Sequence, residues 1–387
     1  MDDIEIVSGF EAIARLEACW GDAGARAGGI GVFERFDLVR AAAEITARRG
    51  AEPLVAVFRC EGRIETLLPL RRERLMGVRA VVPLVYPLAQ YTDVAGAALR
   101  SQNLVRLCRT LHEAGADLLL LRKVRADSGL YEAVIAEAQS QRAADTALYI
   151  DLQAYKTFDA YDASYSNKTR RARRQRRQRF EAAVGPLSLE IAQGAEAIAA
   201  FDTALVWKRA WLAERGVSSP VFDGGDWEQL LRGIVTSGEA IVSVLRAGEK
   251  LAAVEIGFAD RTTYVSYLGT YDPEFSSYSP GQHQMLGTVA WAFEQGFERY
   301  DLLAPADDYK RLWTREETGV AIDDYAIGLT HIGRGVAELR RHVRPLARDF
   351  YHRLSPEMRV AGGRYGVPAA AAAAAAMCAG AVIAAME

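Results

Sequence analysis

The chain has 387 residues, half of them hydrophobic and a quarter charged, with a formal net charge of −3. That length suits two domains that each bury a core, and the near-neutral balance excludes a protein that binds polyanions with its whole surface, so phosphate affinity must come from a local patch. Cys19, Cys60, Cys108 and Cys378 form no CxxC pair and no metal-ligand spacing, which suits a reducing compartment and gives no metal site. The N-terminal MDDIEIVSGFEAI has no apolar run, so a cytoplasmic protein without a signal peptide is expected.

In chain order, Leu54–Phe58, a Glu61-Gly62 turn and Ile64–Leu70 predict a β-hairpin, because aliphatic runs flank a tight glycine turn. Ala80–Pro87 predicts a further strand. Asn103–Ala114 has helical periodicity and stops at Gly115, and Leu118–Leu121 reads as a short strand buried on both faces. Gln153–Asp162 is expected to link this half to the next. SYSNKTRRARRQRRQRF follows as a very basic helix, with Tyr165, Ala172, Phe180 and Ala183 left for packing.

The order then repeats. Ala240–Arg246, a Gly248 turn and Leu251–Phe258 predict a second hairpin, Thr263–Leu268 a strand, Gln284–Glu294 a helix ending before Gly296, and Tyr300–Leu303 a short strand. VAVFRCEG resembles VSVLRAG, and LHEAGADLLLL resembles AFEQGFERYDLL, in the same order, which points to internal duplication. Beyond Asp324, Val336, Leu339, Val343, Leu346, Phe350 and Leu354 form an apolar stripe flanked by Arg340, Arg341, Arg344 and Arg348. The expected layout is an α/β fold of mixed sheets in three parts: residues 1–152, residues 153–330, and an amphipathic helix with an alanine-rich tail over 331–387. That helix either meets an anionic membrane surface or docks on the protein itself.

The segment YVSYLGTYDPEFSSYSPGQHQMLG places Ser279, Pro280, Gly281 and Gln282 between a strand and a helix. Proline and glycine there turn the chain sharply and leave the helix's first N–H groups free, a suitable cradle for phosphate. RYDLLAPADDYKRLW carries Asp301, Lys310 and Trp313. Lysine either holds a phosphate or a developing oxyanion or is an ordinary surface residue, and the tryptophan either walls a site or packs in a core. The dense arginines include Arg170 and Arg174, whose guanidinium forks match phosphate oxygens; a solvated helix face is the alternative.

SNKTRRARRQRR, WKRAW, VSVLRAGEKLAAVEIGF, YLGTYDPEFSSYSPG and YDLLAPADDYKRLW, in that order, resemble the CelD-like acetyltransferases of the GNAT superfamily, which are similar in architecture to Fem-type aminoacyltransferases. The likeness covers about residues 5–325 and its best anchors are the YSPG turn and the DYK-x-x-W cluster. It implies two tandem GNAT-like domains with the active site in the second. It also implies an acyl-CoA, usually acetyl-CoA, as donor and an amine or hydroxyl as acceptor; the first function expected is transfer to an amino sugar or exopolysaccharide precursor, free or lipid-linked, with no metal. Lys168 and Trp211, in the SNK and WKRAW segments, join Asp301 and Trp313 as acceptor-binding candidates. The classical Q/R-x-x-G-x-G/A pyrophosphate loop is absent and Ser279–Gln282 stands in its place. An aminoacyl-tRNA donor, as in Fem-type enzymes, is the first alternative. A degenerate scaffold that binds a cyclic dinucleotide through Arg170 and Arg174 is the second.

Acyl transfer from a thioester needs a deprotonated amine, a stabilised oxyanion and a proton for the thiolate. His283 is the first candidate base by residue type, and Glu255, which interrupts an apolar strand, is the other. Tyr271 and Tyr278 are candidate acids. The first half lacks the tyrosine-rich loop and the S-P-G turn, so it is expected to be catalytically silent and to shape an acceptor cleft at the domain junction.

Overall fold

The first hairpin of the fold closes on two residues of positive φ. A computed structural model describes residues 3–140, 145–314 and 318–353, and the side chains of these except 139–140 and 344–353. Strand β2 (Glu52–Cys60) pairs with β3 (Arg63–Leu75), with Cys60 opposite Arg63, and the turn residues Glu61 and Gly62 have φ of 52° and 81°. Glycine meets this left-handed demand without strain, as a two-residue hairpin loop requires.

The chain forms two compact units, one from residues up to Asp145 with Ala213–Ser218 and the chain from Val320, the other from Thr146–Leu212 and Ser219–Gly319. In the first unit, β1 (Asp3–Ser8), β2, β3 and β4 (Val78–Pro83) are antiparallel neighbours. Strand β5 (Leu118–Arg125) then joins β4 in parallel, and β12 (Gly319–Gly328) closes the order antiparallel to β5. A parallel pair needs a crossover, and the helix Ser101–Glu113 supplies it. Its Leu104, Leu107 and Leu111 fall on one face and are fully buried. Leu119 and Leu121 pack with that helix face, while Leu118 and Leu120 pack on the other side of the strand with Val82 and Ala337. Burial on both faces is what an uninterrupted run of leucines in a parallel strand predicts.

The second unit repeats the scheme. Strands β7 (Leu187–Ala192), β8 (Ile241–Ala247), β9 (Lys250–Ala259) and β10 (Thr263–Tyr271) are antiparallel neighbours. The short β11 (Arg299–Asp301) joins β10 in parallel, and β6 (Asp145–Asp151) flanks it antiparallel. The crossover helix here is Pro280–Glu294. The expected mixed α/β architecture is thus present in both halves.

Two expectations change. Gln153–Asp162 is not a simple link: it holds the short helices Leu152–Tyr155 and Phe158–Ala163, and Tyr161 is fully buried in an aromatic core with Tyr165, Tyr264, Tyr300 and Trp313. Polar tyrosines hide this burial from a hydropathy reading. In the basic helix, Asn167–Ala183, Phe180 is buried and Ala183 is exposed, so Ala183 contributes no packing there.

The C-terminal helix spans His331–Arg353, and Ala337 and Val336 dock it on the first unit's sheet, while Leu339 is 48% exposed. The side chains of Arg344, Leu346, Arg348 and Phe350, together with Leu354, Cys378 and the alanine tail, lie outside the described residues. Among the described residues, no helix is long and apolar enough to cross a membrane.

Candidate active site

Strands β10 and β11 stay paired only through Thr263–Arg299, Tyr264–Tyr300 and Val265–Asp301. β10 runs on to Tyr271 while β11 ends, so the pairing between them opens at Ser266. Beyond Tyr271 a 3₁₀ turn, Pro273–Tyr278, leads to Ser279, whose φ of 59° and ψ of 53° are left-handed. The crossover helix then starts at Pro280, where a missing N–H is harmless. The Ser279 side chain makes no cap hydrogen bond. Gln282 N–H donates to Ser279 O at 3.0 Å, and the first N–H groups of an α-helix have no carbonyl four residues back within the helix. The positive end of the helix dipole is therefore open to an anion.

Gly281 faces aromatic neighbours. A Cβ there would lie 3.5 Å from the Tyr271 ring and 3.9 Å from the Tyr309 hydroxyl, which donates to Gly281 O at 3.2 Å. Tyr271 is 40% exposed and Tyr309 39%. Burial of the hydroxyl, and then the nearby Glu255 carboxylate, push the Tyr309 phenol well above its usual range, so it holds its proton at neutral pH.

Glu255 on β9 is 2% exposed. Its Oε1 accepts from Tyr264 Oη and Tyr300 Oη, both at 2.8 Å, and Ser266 also bonds to the carboxylate. Tyr300 Oη lies 2.9 Å from Thr288 Oγ1 on the crossover helix. Burial raises the Glu255 carboxyl, and the hydroxyls that bond to it hold it part of the way back. Ser266 is half-buried and stands where the strands part, so it joins the sealed carboxylate to the opening.

His283 is on another side of the helix from Gly281, since two residues turn an α-helix by about 200°. It lies near Phe180, with ring centroids 6.2 Å apart, and burial followed by Arg177 and Arg176 holds its pKa below the usual value. Its ring bonds to the Tyr278 backbone and leaves Nε2 buried without a partner. Tyr278 itself stacks on Phe180, at 4.8 Å and 3°. The structure thus brings Glu255, Tyr271, Tyr309 and Gly281 together and turns His283 and Tyr278 toward the basic helix.

On that helix Arg173 is held by Asp162 at 3.2 Å and lies over the Tyr165 ring at 3.9 Å. Arg170 bonds to Asn167, and its buried Nε has no partner. Lys168 and Arg174 are exposed. Lys310 Nζ donates to the carbonyls of Leu303 and Pro305 at 3.0 and 2.9 Å, which occupies it in holding its own loop. Asp301 is fully buried and accepts from Leu303 N–H at 2.7 Å. Trp313 is 2% exposed, and Trp211 is 40% exposed with Lys208 Nζ 4.3 Å from its ring centre. Sequence reasoning missed Ser266 and Tyr309. Tyr309 stands inside the DYK cluster, and strand alternation puts Ser266 on the face of Tyr264. Among the described residues no group of His, Cys, Asp or Glu is gathered for a metal ion.

Comparison with curated proteins gives no match. The chain is similar in fold to FemX, at 10% identity and TM-score 0.56, over 84% of this chain and 98% of that one. It is also similar to the C-terminal domain of an Agrobacterium fabrum protein named as a lysylphosphatidylglycerol synthetase, at 14% identity and TM-score 0.55, over 86% and 97%. A Bacteroides thetaiotaomicron protein of unknown function matches at 12% identity and TM-score 0.51, over 80% and 97%. Residues 167–311, which contain the basic helix, Glu255, the S-P-G turn and Tyr309, match the acetyltransferase (GNAT) domain family, and the chain is therefore an enzyme that carries an acyltransferase domain of GNAT type.

Proposed function

We propose that the second unit transfers an acyl group, acetyl in the simplest case, from acyl-CoA to an amine on an amino sugar or polysaccharide precursor. The observation that carries this reading is the first turn of the crossover helix, Pro280–His283, whose N–H groups stand at the positive end of that helix beyond the point where β10 and β11 part. These groups would hold the donor's phosphates, with Arg176 beside them through His283. The amine nitrogen attacks the thioester carbon, the C–S bond breaks, and the thiolate takes the proton of Tyr309. Glu255 accepts the amine's proton through Ser266, since the carboxylate itself is sealed from solvent. Tyr271 lines the turn, and Arg170, Lys168 and Trp211 remain acceptor-side or donor-side candidates. Lys310 and Asp301 act by shaping the loop after β11.

Isothermal calorimetry with acetyl-CoA tests the donor. Gly281→Asp should raise its Kd about tenfold or more, because the substitution adds bulk and negative charge at a helix start. Equal affinity in both proteins removes the donor from this turn.

A second reading is favoured by one observation. Lys168, Arg171, Arg174 and Arg179 are exposed on one side of the basic helix and have no acidic partner among the described residues. Such a face suits a larger anionic donor such as aminoacyl-tRNA. Salt-dependent binding of tRNA, with no response to acetyl-CoA, would select this donor.

A further inference from the structure

The loop that carries Tyr309 is anchored at Trp313 in an unusual way. The Trp313 carbonyl accepts from Tyr161 Oη at 2.8 Å and from Tyr165 Oη at 3.1 Å, and the two hydroxyls are 2.6 Å apart. The Arg173 guanidinium lies 3.9 Å from the Tyr165 ring centre and 5.0 Å from that of Trp313. Its charge is neutralised by Asp162, and its side chain is only 12% exposed. The backbone and ring of Trp313 are thus fixed from the basic helix and from the segment before it. The indole ring meets Tyr309 edge-on, with centroids 6.3 Å apart at 68°. Its Nε1–H is buried and meets no acceptor at full hydrogen-bond distance.

A buried indole N–H held short of a full hydrogen bond costs stability in that state. The Tyr309 hydroxyl donates to Gly281 O, so its proton points away from the indole. A long hydrogen bond from Trp313 to the Tyr309 side chain favours the deprotonated phenol, against the larger effects of burial and Glu255.

We propose that Trp313 is a positioning residue for Tyr309: the stack of Arg173, Tyr165 and Trp313 holds the indole N–H ready to donate to the Tyr309 oxygen once that oxygen has lost its proton. In the transfer step the Tyr309 O–H bond breaks, its proton passes to the thiolate sulphur, and the electron pair stays on the phenolate oxygen. Trp313 keeps its own proton and turns a long hydrogen bond into a charge-assisted one. This timing rests on the acyl-transfer reading above; the placement of the indole does not.

The test replaces Tyr309 by 3,5-difluorotyrosine, which brings the phenol's titration into a measurable range, and follows it by ¹⁹F NMR. Trp313 is then replaced by benzothienylalanine, which keeps the ring shape and lacks the N–H. The midpoint should rise by on the order of one pH unit, the size of a hydrogen bond to a charged group. Arg173→Leu should move it in the same direction, and Arg173→Lys should move it less. Melting curves on each protein check that the fold is kept. A midpoint unchanged by benzothienylalanine overturns the proposal. A raised midpoint in a protein that never consumes acetyl-CoA keeps the Trp313 assignment and removes the acyl-CoA reading.

Discussion

Glu255 was legible in the sequence because it breaks an apolar strand, but its surroundings were not. The hydroxyls that meet it come from β10, β11 and the crossover helix, and no local pattern announces that convergence. Its pKa is raised in the folded protein, so the folded state holds the proton more tightly than the unfolded one. Stability from this group is full below the ordinary carboxylate range and is lost as pH rises through the folded value. Glu255→Gln should therefore flatten the fall in Tm above that range relative to wild type. Parallel Tm–pH curves would show that Glu255 is not the group responsible. Lys310 presents the opposite case. Its residue type suggested a phosphate or oxyanion ligand, yet its ammonium holds the carbonyls of Leu303 and Pro305. Lys310→Met should cost about 1–2 kcal/mol, a melting-temperature loss of several degrees. An unchanged Tm with activity abolished would return Lys310 to a direct role.

At the scale of elements, the hairpins, the crossover helices and the S-P-G turn were readable from glycine, proline and periodicity. The packing of tyrosine-rich helices was not, because a tyrosine that buries its ring and bonds its hydroxyl looks polar in sequence. The pairing of β9 with β10 depends on one glycine in the same hidden way. Gly257 has no side chain because the Tyr264 hydroxyl occupies that space on its way to Glu255. Gly257→Ala should displace Tyr264 and lower stability by roughly 2–3 kcal/mol, the cost of an overpacked core with a broken buried hydrogen bond. Thermal melting measures this directly, and a loss under about half a kcal/mol would mean that the strands shift freely. The basic helix acts on the crossover helix through charge. Arg176→Ala with Arg177→Ala should raise the His283 pKa toward its ordinary value, read from the imidazole proton shifts by NMR.

For the whole molecule, the duplication visible in VAVFRCEG and VSVLRAG corresponds to the same strand order in both units, and only the second has the left-handed serine and proline before its crossover helix. In the first unit the chain after β4 is tied down by Arg71, which donates to the carbonyls of Pro83, Leu84 and Tyr86, and by Lys123 Nζ on Gln90. Calorimetry should accordingly give one donor per chain, and a stoichiometry of two would overturn the silent role proposed for the first unit. The return of β12 to the first unit's sheet was not legible, since nothing in the sequence of 319–328 says which sheet it completes.

That late return bears on how the protein is made. Tyr325, Ala326 and Ile327 are the partners of Leu121, Leu120 and Leu119, so the leucine strand of the first unit keeps an unpaired edge until the ribosome has passed the whole second unit. Bare, apolar strand edges are what chaperones shield and what misassociating chains find first. The N-terminal half is translated early yet finished late, and a ribosome stalled before residue 319 would release a chain whose first sheet has no last strand.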